Sequence, residues 1–246
     1  MLAREVTSPL LMRLLRLAFV WIATAGAVFG PRCALFAADD PLAALFGKMD
    51  RAAAKFKDLT ANVKKVSYLA FIKEENVDIG TIAVKVPKPH DYHVLIDFQQ
   101  PDAKKVMVSG TKVDLYYPKT NVDQDVDLGK SHRSQIESFL LLGFGSNSRE
   151  LQNAYSVKFG GPEAVEGQKA TRIELFPKSK DVATQFPEFE LWISDDTGIS
   201  LQQKMYQPGG DYSLLTYTNM KLNQNLPDSA VKLNLPKGVQ HEHLAK

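Results

Sequence analysis

The side chains able to do chemistry are few, and their spacing limits what they can do together. His90 and His93 have opposite parity on an incipient strand, so they point to different faces and cannot share a metal ion. His241 and His243 do share parity, but they flank Glu242 in a polar C-terminal tail, which reads as a disordered end. His132, beside Arg133, could act as a base only with a nucleophile and an orienting carboxylate. No Gly-x-Ser-x-Gly elbow or comparable serine context accompanies it. Glu188 and Glu190 share one strand face, as a glycosidase carboxylate pair would, yet the alternation turns Phe189, Leu191 and Ile193 inward and leaves both glutamates in solvent. Gly143-Phe144-Gly145 lacks the Lys-Ser/Thr ending of a phosphate loop. The expectation is a protein that is not an enzyme, with no catalytic residue, no metal and no cofactor.

The single cysteine, Cys33, sits near the end of a stretch built for export. Arg4, Arg13 and Arg16 precede or enter an apolar run from Leu14 to Phe29, which Gly30-Pro31 ends. The apolar core after Arg16 is shorter than the roughly 20 residues needed to span a bilayer. Residues 1–37 are therefore expected to be a cleaved signal peptide, with cleavage after Ala37 or Ala38, and residues 38–246 a single exported domain. Lipidation of Cys33 is the alternative, disfavoured by Pro31 and Arg32 before it. The leader holds four arginines and one glutamate, a net +3, so the +2 of the whole chain leaves about −1 for the domain. That domain has no cysteine, must rest on burial without disulfides, and has no basic stripe for nucleic acid.

The elements that must position any site follow from periodicity. From Pro41 to Phe56, Leu42, Leu45, Phe46, Met49, Ala53 and Phe56 recur at helical spacing behind Asp40 as cap and Pro41 as first helical residue. Between about Asn62 and Leu128 the period is two: Ile82, Val84 and Val86 share one face, as do Tyr92, Val94, Ile96 and Phe98. Further strands are expected at Lys105–Val108, Lys112–Tyr117 and Gln124–Leu128. Ser134 to Glu137 fits a capping box before Ile136, Phe139, Leu140, Leu141 and Leu142, a run apolar enough to be buried or to cover something apolar. Strands return at Tyr155–Phe159, Ala170–Phe176, Phe189–Ile193, Leu201–Tyr206, Tyr212–Lys221 and Val231–Pro236, giving roughly ten or eleven strands and two or three helices. One sheet face is apolar throughout. It makes either a packed core or a curved sheet closed by helices over a lipid-sized cavity.

The order of Leu59-Thr60-Ala61-Asn62-Val63, Gly80-Thr81-Ile82-Ala83-Val84-Lys85-Val86-Pro87, Val106-Met107-Val108-Ser109-Gly110, Leu115-Tyr116-Tyr117-Pro118 and Leu235-Pro236-Lys237-Gly238-Val239 resembles the periplasmic outer-membrane lipoprotein carrier family (LolA-like) and its lipid-binding relatives. The resemblance implies an α+β, mostly β fold: a curved antiparallel sheet forming an incomplete barrel closed by a helical lid. It implies a lipid-binding cavity lined by Ile82, Val84, Val86, Tyr92, Val94, Ile96, Phe98, Val106, Val108, Leu115 and Tyr117. The lid would carry Leu45, Phe46, Met49, Ile136, Phe139, Leu140 and Leu142. The implied role is a monomeric periplasmic carrier of acylated lipoprotein or lipid cargo, loaded by an inner-membrane ABC transporter and unloaded to an outer-membrane acceptor. A binder of another envelope lipid and an envelope-stress sensing domain are the alternatives within the fold. Two departures stand out: Val86 occupies the position of a lid-tying arginine, and Val63 and Lys65 replace the Phe and Gln of an early motif. The polar latch of the family is therefore expected to be missing or rebuilt.

Overall fold

In the computed structural model the described residues are 40–88, 91–127, 129 and 142–244. The segment 1–37, expected to be a signal peptide, and His90, His132, Ile136, Phe139, Leu140 and Leu141 lie outside them. Asp40 caps the first helix, α1 (Pro41–Ala53), its carboxylate accepting from the Leu42 amide at 3.0 Å with Pro41 in the first turn. The helix stops short of Phe56 because Lys55 and Phe56 donate to carbonyls three residues back, a tightened last turn.

The strands are β1 (Asp58–Leu69), β2 (Glu74–Lys88), β3 (Asp91–Gln100), β4 (Lys104–Ser109), β5 (Lys112–Tyr117) and β6 (Val122–Asp127). After the helix α2 (Ser148–Ala154) come β7 (Tyr155–Val165), β8 (Gln168–Pro177), the helix α3 (Lys180–Gln185), β9 (Phe189–Ser194), β10 (Ser200–Tyr206), β11 (Tyr212–Leu222) and β12 (Gln240–His243). They form one open, curved sheet in the order β12-β6-β5-β4-β3-β2-β1-β11-β10-β9-β8-β7, whose ends do not pair, so it is not closed into a barrel. Every neighbouring pair is antiparallel except β12 with β6.

Two expectations at the C-terminal end are corrected. The tail with His241 and His243 is not disordered: it is β12, laid parallel along β6, with the Gln240 amide on the Asn121 carbonyl and the Leu244 amide on that of Asp125. The alternating Val231–Pro236 segment is not a strand. A 3-10 turn runs from Asp228 to Val231, and Lys85 Nζ donates to the Leu226 carbonyl and to Asp228. Pro227 and Pro236 bracket this stretch, and neither can donate to a ladder.

The alternation places one face of the sheet, here called inner, against two apolar clusters. Over β1–β4 and β11, Leu59, Val63, Val84, Phe98 and Tyr217 pack with Phe144 and Ile199. Over β8 and β9, Ile173, Leu175, Phe189, Leu191 and Ile193 pack with Leu45 and Met49 of α1 and with Leu142 and Leu151. The β1–β11 edge of the first cluster is tied by Asp58, 3% exposed, which accepts from the Gln224 amide at 2.7 Å and the Leu226 amide at 3.2 Å.

At Gly80, β2 leaves no room for a side chain against β3. A Cβ there would lie 2.0 Å from the Asp97 carbonyl oxygen, beside the register shift between Ile79 and Gly80. The clash is with backbone, which cannot move without tearing the ladder. Gly80→Ala is expected to destabilise the fold by at least about 2 kcal/mol in urea denaturation; unchanged stability would show that the strands separate freely at this point.

Candidate functional site

Cross-strand register brings the residues expected to line a cavity onto one surface. Ile82 lies opposite Ile96, Val84 opposite Val94, Val94 opposite Val108, Ile96 opposite Val106, and Val106 opposite Leu115. Ile82, Val84, Val94, Phe98 and Val108 are buried, whereas Ile96, Val106, Leu115 and Tyr117 are half-buried. The surface therefore opens from β2 towards β5. Val86 and Tyr92 are half-buried at the end of the β2–β3 pair, where the register shifts between Lys85 and Lys88. Of the residues assigned to a lid, Leu45, Met49 and Leu142 are buried, and Phe46 packs beside them. They sit over β8 and β9, in a different cluster from the Ile82–Val108 surface.

Several inner-face residues escaped the sequence reading. Phe144 and Tyr217 meet edge to face at 4.8 Å, and burial pushes the Tyr217 hydroxyl well above its ordinary pKa. The alternation of β11 could have exposed Tyr217. Phe144 follows a glycine at φ +82 in a turn, where no period exists.

Beyond Gly80 the inner face changes character. Lys104 Nζ donates to both oxygens of Asp78 at 2.8 Å and stands 5.2 Å from the Phe98 ring centroid. Asp78 is 8% exposed and lies opposite Lys65 on β1. Where the family resemblance led us to expect a missing or rebuilt latch, this chain has a Lys65–Asp78–Lys104 cluster. Burial is the largest influence on Lys65 and lowers its pKa; Asp78 opposes that shift and Lys104 adds to it.

The polar groups weighed as chemistry are placed as follows. Glu190 is not in solvent: it is 9% exposed, ion-paired to Arg172 and hydrogen-bonded by Tyr206 Oη at 3.0 Å. Arg172 also reaches Glu163 at 2.8 Å and Glu174 at 3.0 Å, so neighbouring strands cover what alternation alone would leave wet. Glu188 is half-buried, its pKa raised by burial and then by Glu190 and Glu174. His93 is held between Asp91 Oδ1 and Ser109 Oγ, each 3.1 Å away. That order of groups suits a nucleophilic relay, but none of the three lines the outer-face groove of about 440 Å³ between Thr60, Thr81, Leu95 and Lys221. His241 Nδ1 lies 3.2 Å from Asp123, and His243 Nδ1 lies 2.7 Å from Asp125. Among the described residues, no group of three or more His, Cys, Asp or Glu side chains is placed to hold a metal ion, and no helix is long and apolar enough to cross a membrane.

No protein-family model and no curated protein sequence matches the chain. Solved structures do. An uncharacterised conserved protein from Thermus thermophilus is 14% identical, with 82% of this chain and 99% of that one covered at a TM-score of 0.50. MucB is 11% identical over 78% of this chain, with a TM-score of 0.49, and this chain spans only 62% of its length. A LolA superfamily protein from Nitrosomonas europaea is 15% identical, with 78% and 97% covered and a TM-score of 0.39. At these identities the likeness is one of fold.

The half-buried Lys65 ammonium costs the folded state free energy at neutral pH, and the cost is relieved as pH rises through its lowered pKa. Lys65→Met is expected to raise stability at neutral pH by about 1 kcal/mol or less, allowing for its partial exposure, with the gain shrinking as pH climbs into the ordinary lysine range. Urea denaturation at neutral and alkaline pH measures this. A loss of stability at neutral pH would show that the attraction of Asp78 outweighs burial.

Proposed function

We propose that this protein binds the acyl chains of lipoproteins or related envelope lipids on its inner sheet face and carries them through the periplasm from the inner to the outer membrane. The observation that carries this reading is the half-buried apolar surface of Ile96, Val106, Val113 and Leu115, continuous with the buried Val94 and Val108. A packed core closes over such residues; a surface that sequesters methylenes leaves them reachable. The order of sequence motifs shared with lipoprotein carriers supports the same reading, and so does the export leader expected over 1–37.

The energetics assign the work to partners. Transferring an acyl chain of about fifteen methylenes out of a bilayer costs on the order of 12 kcal/mol, at about 0.8 kcal/mol each. A carrier without a nucleotide site can shield such chains but cannot extract two or three of them unaided. An inner-membrane ABC transporter is therefore proposed as the loader and an outer-membrane acceptor as the receiver, with the carrier acting as a non-enzymatic shuttle. The Lys65–Asp78–Lys104 cluster stands at one end of the apolar surface, suited to meet the polar linkage where acyl chains join their glycerol or protein.

Protein purified from the envelope is expected to retain acylated species in native mass spectrometry and to bind a fluorescent fatty acid. Ile96→Glu and Leu115→Glu should each weaken that binding at least about tenfold, with circular dichroism unchanged, because a carboxylate at a half-buried site can ionise without unfolding the sheet. If no acylated species co-purifies and the fatty acid does not bind, the reading is wrong.

A further inference from the structure

Among the described residues seven large apolar side chains are exposed, and five of them lie on the β1–β2 hairpin. Phe71 is 98% exposed and Ile72 50%, both in the turn over 70–73, with Leu69 at 38% beside them. Val77 and Ile79 continue the patch back along the outer face of β2. Such clustering on one projecting turn is unlike the scattered apolar residues of an ordinary surface.

The turn is held in place from its neighbour. The Ala70 amide donates to Asp211 Oδ1 at 2.8 Å, and Tyr68 stacks on Tyr212 with ring centroids 5.0 Å apart. Tyr212 Oη donates to Glu75 at 3.2 Å, and Lys204 Nζ sits over the Tyr212 and Tyr206 rings at 4.2 and 4.5 Å. The β10–β11 connection thus braces the tip of β1–β2, so Phe71 and Ile72 are presented to solvent by a supported scaffold.

From this arrangement we propose that the β1–β2 tip docks the protein on a lipid bilayer, with Phe71 and Ile72 entering the headgroup–acyl boundary. Three features favour lipid over a protein partner or a second copy. The tip holds Phe71 and Ile72 out in solvent, and inserting two side chains among fluid acyl chains needs no matching groove. Tyr68, Tyr206 and Tyr212 form a group of rings beside it, and such amphipathic rings settle at membrane interfaces. The flanking charges are mixed, Lys73 and Lys204 against Glu74 and Glu75, which complements zwitterionic headgroups and offers no polybasic attraction to anionic ones. The proposal rests on the tip alone and is independent of acyl binding on the inner face.

The full exported chain is tested by flotation with pure phosphatidylcholine vesicles and with phosphatidylcholine–phosphatidylglycerol vesicles. Binding to both, insensitive to salt, is expected, and Phe71→Ser/Ile72→Ser should lower partitioning at least about tenfold while Phe159→Ser, an exposed apolar residue elsewhere, leaves it unchanged. Fatty-acid binding by the tip variant should stay at the wild-type level, which separates failure at the tip from failure of the acyl-binding face. A single Ile72→Cys carrying an environment-sensitive dye should shift to the blue on adding vesicles. Equal partitioning of wild type and tip variant, binding only to anionic vesicles with loss in salt, or self-association abolished by the tip variant would each overturn the proposal, the last in favour of a second copy as occupant.

Discussion

The pairing of β1 with β2 runs without a break from Asp58 opposite Lys85 to Leu69 opposite Glu74, and it decides which side of the sheet receives the apolar residues. Leu59 faces Val84 and Ala61 faces Ile82 across that pair; the register then passes through Ile82 and Ile96 to Val106 and Leu115. Because side chains alternate with period two, a slip of one residue here would put Leu59 and Val63 on the opposite face from Ile82 and Val84 and turn one of the two sets to solvent. Gly80 holds the β2–β3 distance that keeps this register, and Asp58 ties the chain after β11 back to the start of β1. The inner face, the charged cluster at its end and the apolar tip all inherit their positions from that one ladder.

Charge on the inner face follows the same logic. Lys65, Asp78 and Lys104 fall on inner positions by parity, in strands whose other inner residues include Val63, Ile82 and Val106. Placing three ionisable groups there costs desolvation, which two hydrogen bonds from Lys104 to Asp78 partly offset. An apolar groove that ends in a fixed polar group can orient an amphipathic guest, since the methylenes and the headgroup prefer opposite ends.

The outer face is less simple than a wet surface. Arg172 gathers Glu163, Glu174 and Glu190 across β7, β8 and β9, and Trp192 Nε1 donates to Glu163 at 2.6 Å. Val165, Ala170, Trp192 and Leu201 form a small apolar cluster on the same side. Along the β12 edge, Asp123 is 2% exposed and meets His241, which places a C-terminal strand over an edge that β6 would otherwise present. These contacts cover the outer face over β7–β9 and the edge beside β6.

Local patterns were enough to establish much of this. Asp40-Pro41 marked the start of α1, and the alternation of Ile82-Val84 and Val94-Ile96-Phe98 identified strands and their inward side, because both signals depend on neighbours three or fewer residues away. The motifs spread from Leu59 to Val239 pointed to the open, curved, mostly β architecture found here. What local pattern could not determine was partnership across the sheet. Glu190 alternates like a solvent residue and is buried only because Arg172 and Tyr206 arrive from β8 and β10; His241 looks like part of a polar tail until Asp123 lies beside it. Val231 to Leu235 alternates like a strand, yet Pro227, Pro236 and the grip of Lys85 on Leu226 and Asp228 deny it a ladder. Period is a property of chain neighbours, so it is enough to say which face is apolar. Which charges are buried, how far the inner surface opens and that Phe71 stands clear of everything come only from the folded sheet, since each depends on residues brought together from strands distant in the chain.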